Sequence, residues 1–298
     1  LIESVDFITF TGSTRTGRIV AVQAAEQLIG CSLELGGKNA MIVLADADLD
    51  EAVEGGLRGC FNNTGQLCIS IERLLVQRSI YDRFVTRFAA RADEMILGSD
   101  LSYDVELGSL ASQQQLDTVV EHVQDALAKG ARLLAGGRPR PDLGPYFFEP
   151  TVLEGVTDEM TVCATETFGP VVAVYPFDEP AEAIEQANAN DYGLNASIWT
   201  ADTGHGEEMA TRIHAGTVNI NEAYAAAWGS VDAPMGGYKD SGLGRRHGAE
   251  GIVKYTESQT VATQRLMPIA APEMIEEESY NRMMSSALWL LKRIPGIR

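Results

Sequence analysis

Short β-branched or aromatic runs alternate with helical stretches along most of this chain, and that alternation most constrains its fold. Strands are expected at residues 6–11, 40–44, 71–76, 147–153, 171–177, 195–200 and 217–220. Between them, Ile19, Val22, Leu28 and Ile29 recur at helical spacing, as do Leu49, Val53, Leu57 and Cys60. The same holds for Ile80, Phe84 and Phe88, for Leu116, Val119, Val123 and Leu127, and for residues 181–188 and 207–214. Asp46 or Asp48 is a candidate N-cap, and Gly30 and Gly130 are expected helix stops. Strands separated by helices of about ten residues predict a mostly parallel α/β sheet. With 298 residues, 45% of them hydrophobic, one large domain or two ordinary ones can be buried.

The charge balance narrows the function classes. Lys and Arg number 23 against 42 Asp and Glu, a net charge of −19, so neither nucleic acid nor an anionic membrane is an expected partner. Cys31, Cys60, Cys68 and Cys163 form no CxxC pair, which speaks against a zinc site or a disulfide framework; no metal is expected, and a reducing cytoplasm is. No apolar run approaches the roughly 18–20 residues of a membrane span. The chain starts at Leu1 with no signal-peptide pattern, and a further segment is expected upstream.

Three local patterns could carry chemistry. Gly12-Ser13-Thr14-Arg15-Thr16-Gly17 lies between a strand and a helix, where free amides can cradle a phosphate, although such turns also occur without a ligand. Cys68 follows a helix behind Gly65-Gln66; it reads either as a small buried hydrophobe or as a thiol whose pKa nearby amides lower. Glu34, between Leu33 and Leu35, is either on the polar face of a sheet or a carboxylate in an apolar setting suited to general-base work.

Four blocks in order make the chain resemble the aldehyde dehydrogenase superfamily from about Val5 to Val261. They are Phe10-Thr11-Gly12-Ser13 with Gly17, Leu33-Glu34-Leu35-Gly36-Gly37-Lys38-Asn39, residues 61–68, and Glu166-Thr167-Phe168-Gly169-Pro170-Val171. A later stretch, residues 234–242, matches the loop before the family's oligomerisation strand. The resemblance implies an aldehyde dehydrogenase-like catalytic domain with a parallel sheet, part of a Rossmann-like NAD(P)-binding domain, and an oligomerisation strand. The implied division is 1–35 for the cofactor-domain remnant, 36–236 for the catalytic domain, 237–265 for the return segment and strand, and 266–298 for a tail helix.

It also implies roles. Cys68 is the nucleophile and Glu34 the base that activates water; the Cys68 amide is one arm of an oxyanion hole. Gly12 and Ser13 meet the pyrophosphate of NAD or NADP, Glu166 holds the nicotinamide ribose, and Phe168 packs beside the cofactor. Lys38 steadies sheet and loop. Leu67 and Ser70 depart from the usual nucleophile signature, which leaves the substrate range open. The oxyanion Asn and the residues choosing between NAD and NADP are expected upstream, so this piece alone should bind cofactor poorly.

Within the family, residues 229–234 look like the segment that places a hydroxyl near the carboxylate of succinate semialdehyde, with Ser230 the candidate. A bland loop serine is the competing reading, and Arg58, Arg245 and Arg246 are not motif-matched. The alternatives are a broad-specificity aldehyde oxidiser, a CoA-acylating relative, which Glu34 disfavours, and an inactive piece serving assembly. A small aldehyde is the expected substrate. A homodimer or homotetramer, paired through residues 254–263, is the expected assembly. Met283, Met284, Ala287, Leu288 and Leu291 share one helical face in the tail, expected to dock on a subunit.

Overall fold

The structure, a computed structural model, describes residues 1–100, 102–265 and 268–294. In chain order the elements are β1 (Phe7–Thr11), α1 (Thr14–Glu26), β2 (Gly30–Glu34), β3 (Asn39–Val43), α2 (Leu49–Phe61), β4 (Ile71–Gln77), α3 (Tyr81–Asp93), α4 (Gln113–Ala128), β5 (Arg132–Ala135) and β6 (Thr151–Glu154). They continue with α5 (Thr161–Ala164), β7 (Val171–Phe177), α6 (Pro180–Asn188), β8 (Tyr192–Gly193), β9 (Asn195–Trp199), α7 (Thr203–Ala210) and β10 (Thr217–Ile220). The last are α8 (Ala225–Gly229), β11 (Tyr238–Lys239), β12 (Gly242–Leu243), α9 (Gly248–Val253) and α10 (Glu277–Leu291). One compact unit spans Leu1–Tyr255 and a second begins at Thr256.

The expected parallel sheet is present: seven strands in the order β10-β9-β3-β4-β7-β6-β5, parallel except for the β5–β6 pair. All five residues of β3 are buried, because helices cover both faces. Met41 and Val43 pack with Leu57, Phe61, Phe84 and Phe88 of α2 and α3, while Ala40 and Ile42 pack with Ile184, Ala187 and Met209 of α6 and α7. That is the two-residue period of a strand read out as two cores. Asp48 caps α2, accepting from the amides of Asp50 and Glu51. Asp46 instead accepts from Thr200, Ala201 and Asp202.

A second sheet, β1-β2-β12, holds the first strands of the chain beside a return strand some 200 residues later. β1 and β2 run parallel, and β12 closes on β2 antiparallel. Gly30 does not stop α1: the helix ends at Glu26, Leu28 takes the reversal (φ 57°), and Gly30 opens β2. The strand expected at 147–153 is confined to β6, since the chain around Phe148 is held outside the sheet by a bridge to Pro139. The helix expected at 207–214 starts earlier, at the Asp202 cap, and ends at Ala210. The strand expected at residues 254–263 is not formed among the described residues. In the second unit the Tyr280 hydroxyl donates to the Pro268 carbonyl, and Arg293 lies over the Trp289 ring. Of the expected tail, residues 266, 267 and 295–298 lie outside the described residues. No described helix is long and apolar enough to cross a membrane.

Candidate active site

Cys68 sits on a loop wound tightly after α2. Asn63 (φ 53°), Thr64 (φ 58°) and Gly65 (φ 70°) are all left-handed, a strained run that recurs at functional sites. Glycine is needed at the third position, where a β-carbon would stand 2.1 Å from the Gly169 carbonyl oxygen. Two asparagines at strand starts then fix the loop. Asn39 Nδ2 donates to the carbonyls of Cys68 (2.9 Å) and Ser70 (2.7 Å), and Asn195 Nδ2 donates to that of Ile69 (3.1 Å). The two are coupled through the Asn195 amide, which donates to Asn39 Oδ1 at 3.0 Å. With its carbonyls turned into the protein, the loop leaves Cys68 partly exposed.

Glu34 ends β2, opposite Thr11 on one side and Gly242 on the other. It is 5% exposed, and its Oε1 is buried without a hydrogen-bond partner among the described residues. Burial pushes its carboxyl up, against the opposing pull of Arg246, Lys254 and Arg245. A carboxylate short of partners and raised in pKa is suited to taking a proton from water.

The third carboxylate, Glu166, accepts from the Gly37 amide (3.0 Å) and packs against Gly36, where a β-carbon would lie 2.3 Å from its Oε2. Burial, then the charge of Glu72, raises its pKa to about 7. Lys38 reaches this segment indirectly. It forms a fully buried ion pair with Glu72, whose carboxylate accepts from the amides of Thr167 (3.0 Å) and Phe168 (2.9 Å). Phe168 is itself left-handed (φ 53°), and Gln115 Nε2 donates to its carbonyl.

The geometry reverses one expectation. The Cys68 thiol is pushed up, not down: burial acts first, then the charges of Glu34 and Glu166, opposed by Arg246 and the residue's own amide. Nearby carboxylates outweigh nearby amides here. The charges of Glu34, Glu166 and Arg246 all act on the thiol.

Gly12 and Ser13 stand at the start of α1. The Gly12 amide donates to the Glu34 carbonyl (3.1 Å), which ties this turn to the base's strand, and Ser13 caps the helix at Thr16. The Ser230 hydroxyl is exposed and donates to the Ala226 carbonyl (2.7 Å), so it would have to give up that bond to meet a substrate carboxylate. Ser70, the other departure, is buried with its hydroxyl unpartnered among the described residues. Leu67 packs beside Ile69, Leu194 and Met235. Sequence reasoning missed the Asn39–Asn195 latch and Glu72, of which only Asn39 lay in a quoted block, and left Arg246 without a motif match. No group of His, Cys, Asp or Glu among the described residues could hold a metal.

The aldehyde dehydrogenase family model matches residues 2–261. A protein of Mycolicibacterium smegmatis, named "Putative succinate-semialdehyde dehydrogenase [NADP(+)]", is 52% identical over 99% of this chain and 57% of its own length. A betaine aldehyde dehydrogenase of Cereibacter sphaeroides is 41% identical over 89% of this chain and 54% of its own. The NAD+ complex of an aldehyde dehydrogenase from Bacillus cereus superposes with a TM-score of 0.81 at 41% identity, over 86% of this chain and 51% of that one. The chain thus spans a little over half the length of these relatives.

Proposed function

The chain belongs to the aldehyde dehydrogenase family, and from that premise we propose that it carries the reactive half of an NAD(P)-dependent aldehyde oxidation, with succinate semialdehyde as the substrate. The observation that carries the reading is Glu34, a buried carboxylate with an unpartnered oxygen whose charge acts on the Cys68 thiol, on a loop whose carbonyls two asparagines hold.

Cys68, as thiolate, adds to the aldehyde carbon and forms a thiohemiacetal; its proton leaves to solvent or to Glu34. The Cys68 amide would be one arm that stabilises the oxyanion. When bound, a nicotinamide cofactor would supply the hydride acceptor needed to oxidise the thiohemiacetal to a thioester. The residues fit such a group: α1 presents its N-terminus at the Gly12–Ser13 turn, and Glu166 offers a carboxyl fixed by Gly37. Glu34 then takes a proton from water as it attacks the thioester, which releases the acid and restores the Cys68 thiol. Lys38 and Glu72 position the 166–168 segment.

The name of the Mycolicibacterium relative supports the acidic substrate and NADP; the Bacillus complex supports NAD. The betaine aldehyde relative favours a second reading, an oxidiser of other aldehydes. Comparing kcat/KM for succinate semialdehyde and for butanal in the full-length gene product separates them. A preference of at least tenfold for the acid supports the first reading, and equal rates refute it.

A further inference from the structure

We propose that Arg246 binds the carboxylate of an acidic aldehyde substrate, with the Trp228 ring as the platform for its guanidinium. The proposal rests on the acid-aldehyde reading above and names the residue that would enforce it.

The chain is strongly acidic, yet three cations, Arg245, Arg246 and Lys254, all act on Glu34. Two of them are already engaged. The Arg245 guanidinium donates to the carbonyls of Gly244 (2.7 Å) and Gly237 (3.3 Å) and lies over the Tyr238 ring. Lys254 Nζ donates to Ser32 Oγ at 2.8 Å. Arg246 differs. Among the described residues its guanidinium has neither an ion pair nor a hydrogen-bond acceptor, and its one partner is the indole of Trp228, 5.0 Å from the ring centroid. A half-buried guanidinium resting on an aromatic face keeps its planar fork of donors open to a carboxylate.

Its place is fixed from both sides. The Arg246 backbone pairs with Met235 in both directions, at 2.6 Å each way, and Met235 packs in the apolar cluster that includes Leu67 and Cys68. Trp228 is two residues from Ser230, in the segment expected to meet the substrate. His247 also meets the same indole edge-on (6.1 Å), its Nδ1 buried without a partner among the described residues. Arg246 acts on both Cys68 and Glu34. A four-carbon aldehyde held by Cys68 at one end has its carboxylate only a few bond lengths away, within reach of a group in that position.

The test is the ratio of kcat/KM for succinate semialdehyde to that for butanal, in the full-length gene product and its R246Q and R246K variants. The ratio cancels any general effect of Arg246 on the thiol or the base, which touches both substrates alike. The expected result is a wild-type preference for the acid, a fall in the ratio of about 10- to 100-fold in R246Q, carried by KM, and a smaller fall in R246K. A preference that survives R246Q unchanged overturns the role of Arg246 while leaving the substrate reading intact. A wild type without preference overturns both. If R246Q does not fold, R246K decides: it keeps a charge over the indole but loses the fork, and an unchanged ratio there overturns the proposal.

Discussion

The Lys38–Glu72 pair allows the sharpest energetic test. Both side chains are at most 4% exposed, and Glu72 also takes the amides of Thr167 and Phe168. Lys38→Met replaces the ammonium with an apolar group of similar length and strands a carboxylate in the core. Breaking one side of a buried pair costs about 3–5 kcal/mol. The two surviving amide bonds, each worth roughly 1.5–3 kcal/mol to a charged acceptor, place this case at the low end of that range. Urea unfolding of the full-length gene product measures it, through midpoints at unchanged slope. The double variant K38M/E72Q removes the stranded charge and keeps an oxygen to accept the amides, so it should recover at least ~1 kcal/mol of the loss. A K38M variant within about 0.5 kcal/mol of wild type, or a double variant weaker than the single, would mean that Lys38 does not offset the buried Glu72 charge. Because Glu72 holds the 166–168 segment, K38M should also raise the KM for cofactor.

Three further outcomes follow from the site. Iodoacetamide labelling of Cys68 against pH should have its midpoint above the ordinary thiol value; E34Q should lower that midpoint and R246Q raise it, since their charges act in opposite directions. Glu166 has a folded pKa of about 7, above its unfolded value, so its contribution to stability is full below about pH 4.5 and is lost as pH rises through 7. Unfolding free energy of E166Q should therefore fall less than that of wild type across this window, and parallel curves would contradict the raised carboxyl. Gly65→Ala combines a left-handed backbone with a 2.1 Å approach to the Gly169 carbonyl, and should cost at least ~2 kcal/mol by thermal or chemical unfolding.

Much of the fold was legible because strands and helices advertise themselves by period. β3, β4 and β7 are apolar runs, and α2 and α3 carry clear stripes. β2 was harder, because Gly30, Cys31 and Ser32 give no apolar alternation; its pairing with β12 lies in contacts between residues far apart in the chain. The reactive pair was legible only as part of ordered blocks, since one cysteine and one glutamate say little alone. Two features of the site had no local signal. The Asn39–Asn195 latch joins residues 156 apart, and an asparagine at a strand start looks like any other. The direction of the thiol shift depends on which carboxylates the fold gathers around Cys68, so nearby amides in the sequence pointed the wrong way.

In the mechanism proposed, Cys68 is acylated and Glu34 drives the hydrolysis. It is tested most directly by mixing the E34Q variant of the full-length gene product with succinate semialdehyde and NAD(P)+, quenching in acid, and measuring the mass of the peptide bearing Cys68. A succinyl thioester on Cys68 should accumulate toward one per site, after a single burst of reduced cofactor. Steady turnover in E34Q at the wild-type rate, or a burst with the acyl group absent from Cys68, would contradict that mechanism.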